Sequence, residues 1–319
     1  MKKMILGFAA LSLMFTSCEK EGDQIVNDET LDGEVAFALA LDQCGSMGVL
    51  EEKLAADPTL AERMSEVEAH TKYAISSGMT QRLVNGQIEI PVVYHIIYRT
   101  ASENISAAQI ESQTVALNED FNLQNPGRNT IPAEFAAVES NVGISFVTEQ
   151  VIRVYDRKRS WRPDDSMKFV SPAVNPEQFL NVWVVNNMPY RGGNILGYAQ
   201  FPGGNRATDG IVMDHRFTGE TQYSTGRTAT HEVGHWLNLR HIWGDGGCGA
   251  TDFVDDTPDA SGNSRGCPVY PQNSCGTNDM TMNFMDYSDD PCLNMFTNGQ
   301  TARMKSVFAA GGYREAMAQ

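Results

Sequence analysis

The chain has 319 residues, 41% of them hydrophobic and 20% charged. That balance allows one substantial buried core and excludes an intrinsically disordered protein. The formal net charge is -16, and no stripe of Lys and Arg interrupts it, so nucleic acid is excluded as a partner, while basic partners and plain solubility both suit an acidic surface.

Lys2 and Lys3 precede an apolar run over 4–15, closed by Thr16, Ser17 and Cys18. This is the layout of a secretory signal peptide over 1–18. The run is too short to span a bilayer, which needs ~20 apolar residues. The small residues before Cys18 resemble a bacterial lipobox, although Phe15 stands where Leu is usual. On that reading Cys18 is lipidated and holds the exported chain at the outer membrane or cell surface, its one membrane contact. The alternative is an ordinary signal peptide with an incidental Cys and a secreted product. Export permits disulfides. Beyond Cys18 the cysteines are Cys44, Cys248, Cys267, Cys275 and Cys292, and if the last four pair, Cys44 is left over.

Residues 19–40 are acidic and polar and read as a tether. A helical segment is predicted over about 41–73: Asp57 and Pro58 supply an N-cap and a proline at the first helical position, and Leu60, Met64 and Val67 recur at helical spacing. Ser76, Ser77 and Gly78 end it and begin a linker. We read 19–84 as tether and helical segment, apart from a main domain over 85–319. There, 88–98 is a strand rich in Val, Ile and Tyr. A helix follows, with Ser106 and Gln109 as a capping box. Further strands are predicted over 144–147, 180–185 and 210–213, the second apolar almost throughout and therefore covered on both faces. Glycine-rich loops are expected at 191–194 and 202–205, and helices over 228–237 and from about 298. The last has Thr297 and Gln300 as a capping box and is interrupted by Gly311 and Gly312. Strands alternating with helices predict a mixed α+β fold, with helices on the faces of a sheet.

The stretch 231–241 reads HEVGHWLNLRH. His231 and His235 are four apart, so both imidazoles leave one face of a helix, as two ligands of one tetrahedral ion require. His241 is the third ligand, provided the helix stops near Asn238 and the chain turns back. A catalytic zinc takes three protein ligands and keeps one place open. Glu232, beside the metal without binding it, is placed to take a proton from the attacking water and pass it to the leaving amine. The bland reading, a helix with two incidental histidines, leaves the third unexplained. His70, His95 and His215 have no ligand spacing and read as structural.

Downstream come Met282-Asn283-Phe284-Met285-Asp286-Tyr287 and FTNGQTARM. HExxHxxxxxH followed by such a Met-containing turn resembles the metzincin signature, and the details resemble the pappalysin family of zinc metalloproteases, in particular its small bacterial, ulilysin-like members. The resemblance covers about 88 to the C-terminus and, more weakly, 44–71. It implies a twisted, mostly parallel sheet, an active-site helix, and an irregular C-terminal subdomain (242–319) below an upper one (85–241). It implies Met285 as an apolar floor beneath the zinc and Tyr287 as an oxyanion donor. The family usually has Gly where this chain has Asn238; Asn is the residue that best tolerates the left-handed backbone needed there.

Further implications are a crossed pairing, Cys248–Cys275 with Cys267–Cys292, and a calcium ion at Asp252 and Thr257. A structural zinc on the four cysteines is the rival to the pairing, but the C-x2-C spacing is missing. Small relatives use a pro-segment Cys as a latency switch, a role that falls to Cys44, with release by cleavage near Arg82. Some relatives cleave before Arg. The expected function is hydrolysis of proteins or peptides by zinc-activated water. The alternative is a catalytically inactive metzincin-like lipoprotein that only binds a partner, against which Glu232 and Tyr287 both argue.

Overall fold

The computed structural model describes residues 44–80 and 88–318. The predicted signal peptide with Cys18, the tether over 19–40 and the linker with Arg82 lie outside the described residues.

The helical segment is two helices, α1 (Ser46–Ala56) and α2 (Pro58–Ser76). The break is at Asp57, which is extended (φ -130°, ψ 95°) because the following proline disfavours the helical region there. Its carboxylate accepts the Thr59 N–H at 3.0 Å and starts the second helix.

The sheet has the order β2-β1-β3-β7-β6. β1 (Ile88–Tyr98) pairs in parallel with β2 (Ile144–Tyr155) and β3 (Leu180–Val185). β3 pairs in parallel with β7 (Ile211–Asp214), which carries the antiparallel edge strand β6 (Gly197–Ala199). β3 is buried along its whole length. Leu180, Val182 and Val184 enter one apolar cluster, and Trp183 and Val185 the other. Each such side chain is worth ~1.5–3 kcal/mol when fully buried. α3 (Ala107–Phe121) covers the first face with Ile110, Leu117 and Phe121, and the short α4 (Ser166–Val170) places Met167 in the second cluster.

Four sequence expectations need correction. β2 runs eight residues beyond Val147 because its second half is an outer strand, held by backbone pairing as far as Tyr98 with Tyr155 and needing no apolar alternation. The loop at 191–194 is the turn of a hairpin, β4 (Met188–Tyr190) with β5 (Gly193–Ile195). The capping box at Ser106 is half formed: its hydroxyl accepts the Gln109 N–H, but the Gln109 amide donates instead to the carbonyls of His215 and Thr218. Finally, α6 (Asn298–Ser306) stops before Gly311, although its Thr297–Gln300 capping box is complete.

Between the sheet and α6 lies an irregular stretch tied by the disulfides Cys248–Cys275 and Cys267–Cys292. Cys44 is the free cysteine among the described residues.

Candidate active site

The helix α5 (Arg227–Trp236) carries the first two histidines. It begins after Gly226, in the left-handed region at φ +92°, and has no cap from its own N-cap side chain. Asp290 supplies one from elsewhere. Its Oδ2 accepts the N–H groups of Thr225 at 2.7 Å and Arg227 at 3.3 Å, and the Ser224 hydroxyl at 2.8 Å. A carboxylate against the positive end of a helix is stabilising.

At the other end the Leu239 N–H returns to the Gly234 carbonyl at 2.9 Å, and Asn238 sits at φ +78°. The left-handed residue swings the chain back, so that His241 meets the two helical rings. The Nε2 atoms of His231 and His241 each lie 3.1 Å from that of His235. Each Nδ1 has its own acceptor: the Phe284 carbonyl for His231 at 2.7 Å, the Leu239 carbonyl for His235 at 2.9 Å, and the Asp245 carboxylate for His241 at 2.6 Å. With Nδ1–H donating, every Nε2 presents a lone pair to the common centre. Burial, then the nearby His241, pushes His231 down to about 3 and His235 well below its ordinary value, so both rings are neutral.

Cys44 closes the group. Its sulfur and the three imidazole nitrogens lie within 4.8 Å of one another, all buried. Tetrahedral zinc with ~2.0–2.1 Å to nitrogen and ~2.3 Å to sulfur needs ligand atoms ~3.3–3.7 Å apart. Donor set and spacing therefore fit zinc. Burial and the Glu232 carboxylate push the Cys44 thiol up; a divalent cation supplies the opposite field.

Glu232 is fully buried beside this centre, and its Oε2 accepts the Ser46 hydroxyl at 2.7 Å. It fits because residue 197 is glycine: a Cβ there would lie 2.9 Å from Glu232 Cγ. The Tyr287 hydroxyl is 3.2 Å from His241 Nε2 and donates to the Cys44 carbonyl at 3.3 Å. Met285 lies buried beneath α5, where a Cβ on Gly234 would stand 2.4 Å from its sulfur. Trp243 stacks on His241, 5° from parallel with centroids 4.3 Å apart.

Asp252 and Thr257 lie apart from this group. The Thr257 hydroxyl donates to Asp252 at 2.7 Å, and burial pushes the carboxyl up to about 6. His95 is a core residue, bonded to Ser171 and Asn181 and stacked on Trp183. Sequence reading missed Ser46, Asp245, Trp243 and Phe201. Asp245 alone left a signal, a carboxylate four residues after His241.

The comparisons with known proteins agree on one family. The M43 peptidase model, described as pregnancy-associated plasma protein-A, matches residues 164–309. An extracellular metalloprotease of Pyricularia oryzae is 31% identical over 85% of this chain and 91% of its own length. One of Colletotrichum graminicola is 32% identical over 86% and 92%. Among solved structures, a promirolysin variant of Tannerella forsythia superposes with a TM-score of 0.76 at 37% identity, covering 86% of this chain and 97% of that one. Mature mirolysin in complex with a cleaved peptide gives 0.68 at 40% identity, covering 72% and 95%. With a mostly parallel sheet and three histidines converging beside a buried glutamate, the chain belongs to the M43, or pappalysin, family of metzincins and is a zinc metalloendopeptidase.

Proposed function

We propose that His231, His235 and His241 hold the catalytic zinc, that Glu232 is the general base, and that Tyr287 donates to the oxyanion. The observation that carries this reading is the convergence of three Nε2 lone pairs, each fixed by a bonded Nδ1, beside the Glu232 carboxylate. Zinc, when bound, supplies Lewis-acid polarisation and acidifies a coordinated water. Glu232 takes the proton from the attacking water and returns it to the leaving amine. The Tyr287 hydroxyl, beside His241, turns toward the negative charge that develops on the carbonyl oxygen. Met285 packs beneath α5 and fixes the height of the two helical ligands.

Residues 44–80 act as a latency segment. Cys44 takes the fourth zinc position, and its main chain runs along β6, where the Gly45 N–H donates to the Gly197 carbonyl at 2.9 Å. The similar promirolysin and mature mirolysin align over different shares of this chain, which fits removal of the residues before β1. Cleavage between α2 and β1, near Arg82, would release the segment.

A pocket beside Glu232, lined by Thr228, Asp286 and Asp290 with Arg227, supports a basic residue after the cleaved bond. For calcium the support is one buried carboxylate, Asp252, with Thr257 beside it. For a lipid anchor the support is the sequence around Cys18 alone.

The test compares full-length wild type with Cys44→Ala before processing. The variant should cleave peptides, or process itself, at least tenfold faster. Equal latency in the two would remove Cys44 from the zinc. Chelation by o-phenanthroline should abolish activity, and a metal-free His235→Ala variant that stays active would end the ligand assignment.

A further inference from the structure

Phe201 belongs to an apolar cluster whose other members come from the latency segment: Leu50 and Leu60, with Met47, Leu54 and Met64 packed around them. It is 3% exposed beneath them. Its ring lies 5.2 Å from that of His235, and the Arg240 guanidinium covers it at 4.3 Å. Once the segment leaves, an aromatic face opens directly beside a zinc ligand.

Phe201 also follows the edge strand β6. The inner edge of β6 is occupied by β7, with Tyr198 opposite Val212 and the Gln200 N–H bonded to the Gly210 carbonyl. The intervening residues turn their backbone groups outward. The latency segment uses two of them: the Gly197 carbonyl takes the Gly45 N–H, and the Ala199 N–H donates to the Ser46 hydroxyl at 2.8 Å. A peptide laid along this edge meets Gly197 beside Glu232, where the bond is cut, and Phe201 farther along. The antiparallel direction gives the better hydrogen-bond ladder. In that direction the residues over Phe201 are N-terminal to the cleaved bond.

We propose that Phe201 is the floor of an apolar substrate subsite, which Leu50, Leu60 and Met64 fill in the latent chain. The mature enzyme therefore selects a large apolar residue such as Leu or Met roughly two to four positions before the cleaved bond. Arg240 at its rim selects against Lys and Arg at the same position. The inference rests on the peptidase reading above.

The experiment uses the full chain, activated by limited proteolysis between α2 and β1, and a peptide series with Leu, Ala or Lys at each position around the cleaved bond. Wild type should show one upstream position where Leu exceeds Ala ~10-fold in kcat/KM, with Lys below Ala. In Phe201→Ala that ratio should fall below threefold, and in Phe201→Leu it should persist; zinc content per chain is measured alongside. Cleavage with no upstream apolar preference in wild type overturns the proposal without any variant and leaves the peptidase reading intact. A ratio that survives in a zinc-loaded Phe201→Ala also overturns it. A wild type that cleaves no peptide overturns the peptidase reading and the subsite with it.

Discussion

Glu232 and Gly234 stand two residues apart on α5 and are constrained by different physics. In its proposed role Glu232 is constrained by chemistry, since a general base must reach a proton without binding the metal. Glu232→Gln keeps the volume and removes the basicity. Such a variant should retain zinc, measured as metal per chain, while turnover falls by ~10²-fold or more, the range for a lost general base. A loss under tenfold would mean that another group carries the proton. Gly234 is constrained by packing. A methyl group there meets the Met285 sulfur at 2.4 Å, deep under the helix, so one of the two must move. Gly234→Ala should lower stability by ~1–3 kcal/mol, the usual cost of overpacking, read as a fall in Tm. Adding Met285→Ala should recover part of that loss. Strict additivity of the two changes would separate them.

At the scale of elements, residues 44–80 are held by more than Cys44. Arg303 of α6 is 2% exposed. It donates through Nε to the Asn238 carbonyl at 2.7 Å and pairs with both oxygens of Glu68 in α2, at 3.1 and 2.6 Å. Lys53 of α1 reaches Asp165 at 2.7 Å. Lys168 and Lys53 together outweigh burial and hold Asp165 down at about 2. Glu68→Ala leaves the Arg303 charge buried without its carboxylate, a cost of a few kcal/mol in such pairs. Cleaved segment should then dissociate from the Glu68→Ala protein at least fivefold faster, followed by the rise of peptidase activity after processing. An unchanged rate would show that the Glu68–Arg303 pair does not hold the cleaved segment. Asp57 and Pro58 announced the start of α2, and the heptapeptide spacing of His235 to His241 announced the turn at Asn238, because caps and special backbone conformations are written in a few local residues. Glu68, Arg303, Ser46 and Phe201 carried no such mark. Each acquires its role from a partner far along the chain, and the contact exists only once the fold has formed. The edge strand β6 was missed for a related reason: with three residues, it is defined by its pairing to β7 and by nothing periodic.

For the whole molecule, the sheet and the irregular C-terminal region reach order by different routes. The sheet was legible because Leu180–Val185 is apolar except at Asn181, the pattern of a short strand buried on both faces. The region between His241 and α6 has no such pattern, yet it supplies Met285, Tyr287 and Asp290 to the centre. Its order comes from cross-links and from turns around buried groups. Cys267–Cys292 joins residues 25 apart, and Cys292 follows Tyr287 closely, so this bridge limits how far the Met285–Tyr287 turn can stray from α5. Cys248–Cys275 spans a separation of 27 and lies farther from that turn in sequence. Loops of this size are worth ~3 kcal/mol each by chain entropy, so the two bridges should contribute about equally to stability and unequally to the site. Replacing Cys267 and Cys292 with Ala should lower Tm and also weaken zinc retention and turnover, because Met285 and Tyr287 lose their restraint. Replacing Cys248 and Cys275 should lower Tm by a similar amount with turnover at 25 °C nearly preserved. Thermal unfolding, zinc content and kcat/KM measured on both double variants decide the matter. Equal effects on activity would show that the turn is held by its packing under α5 and not by the nearby disulfide.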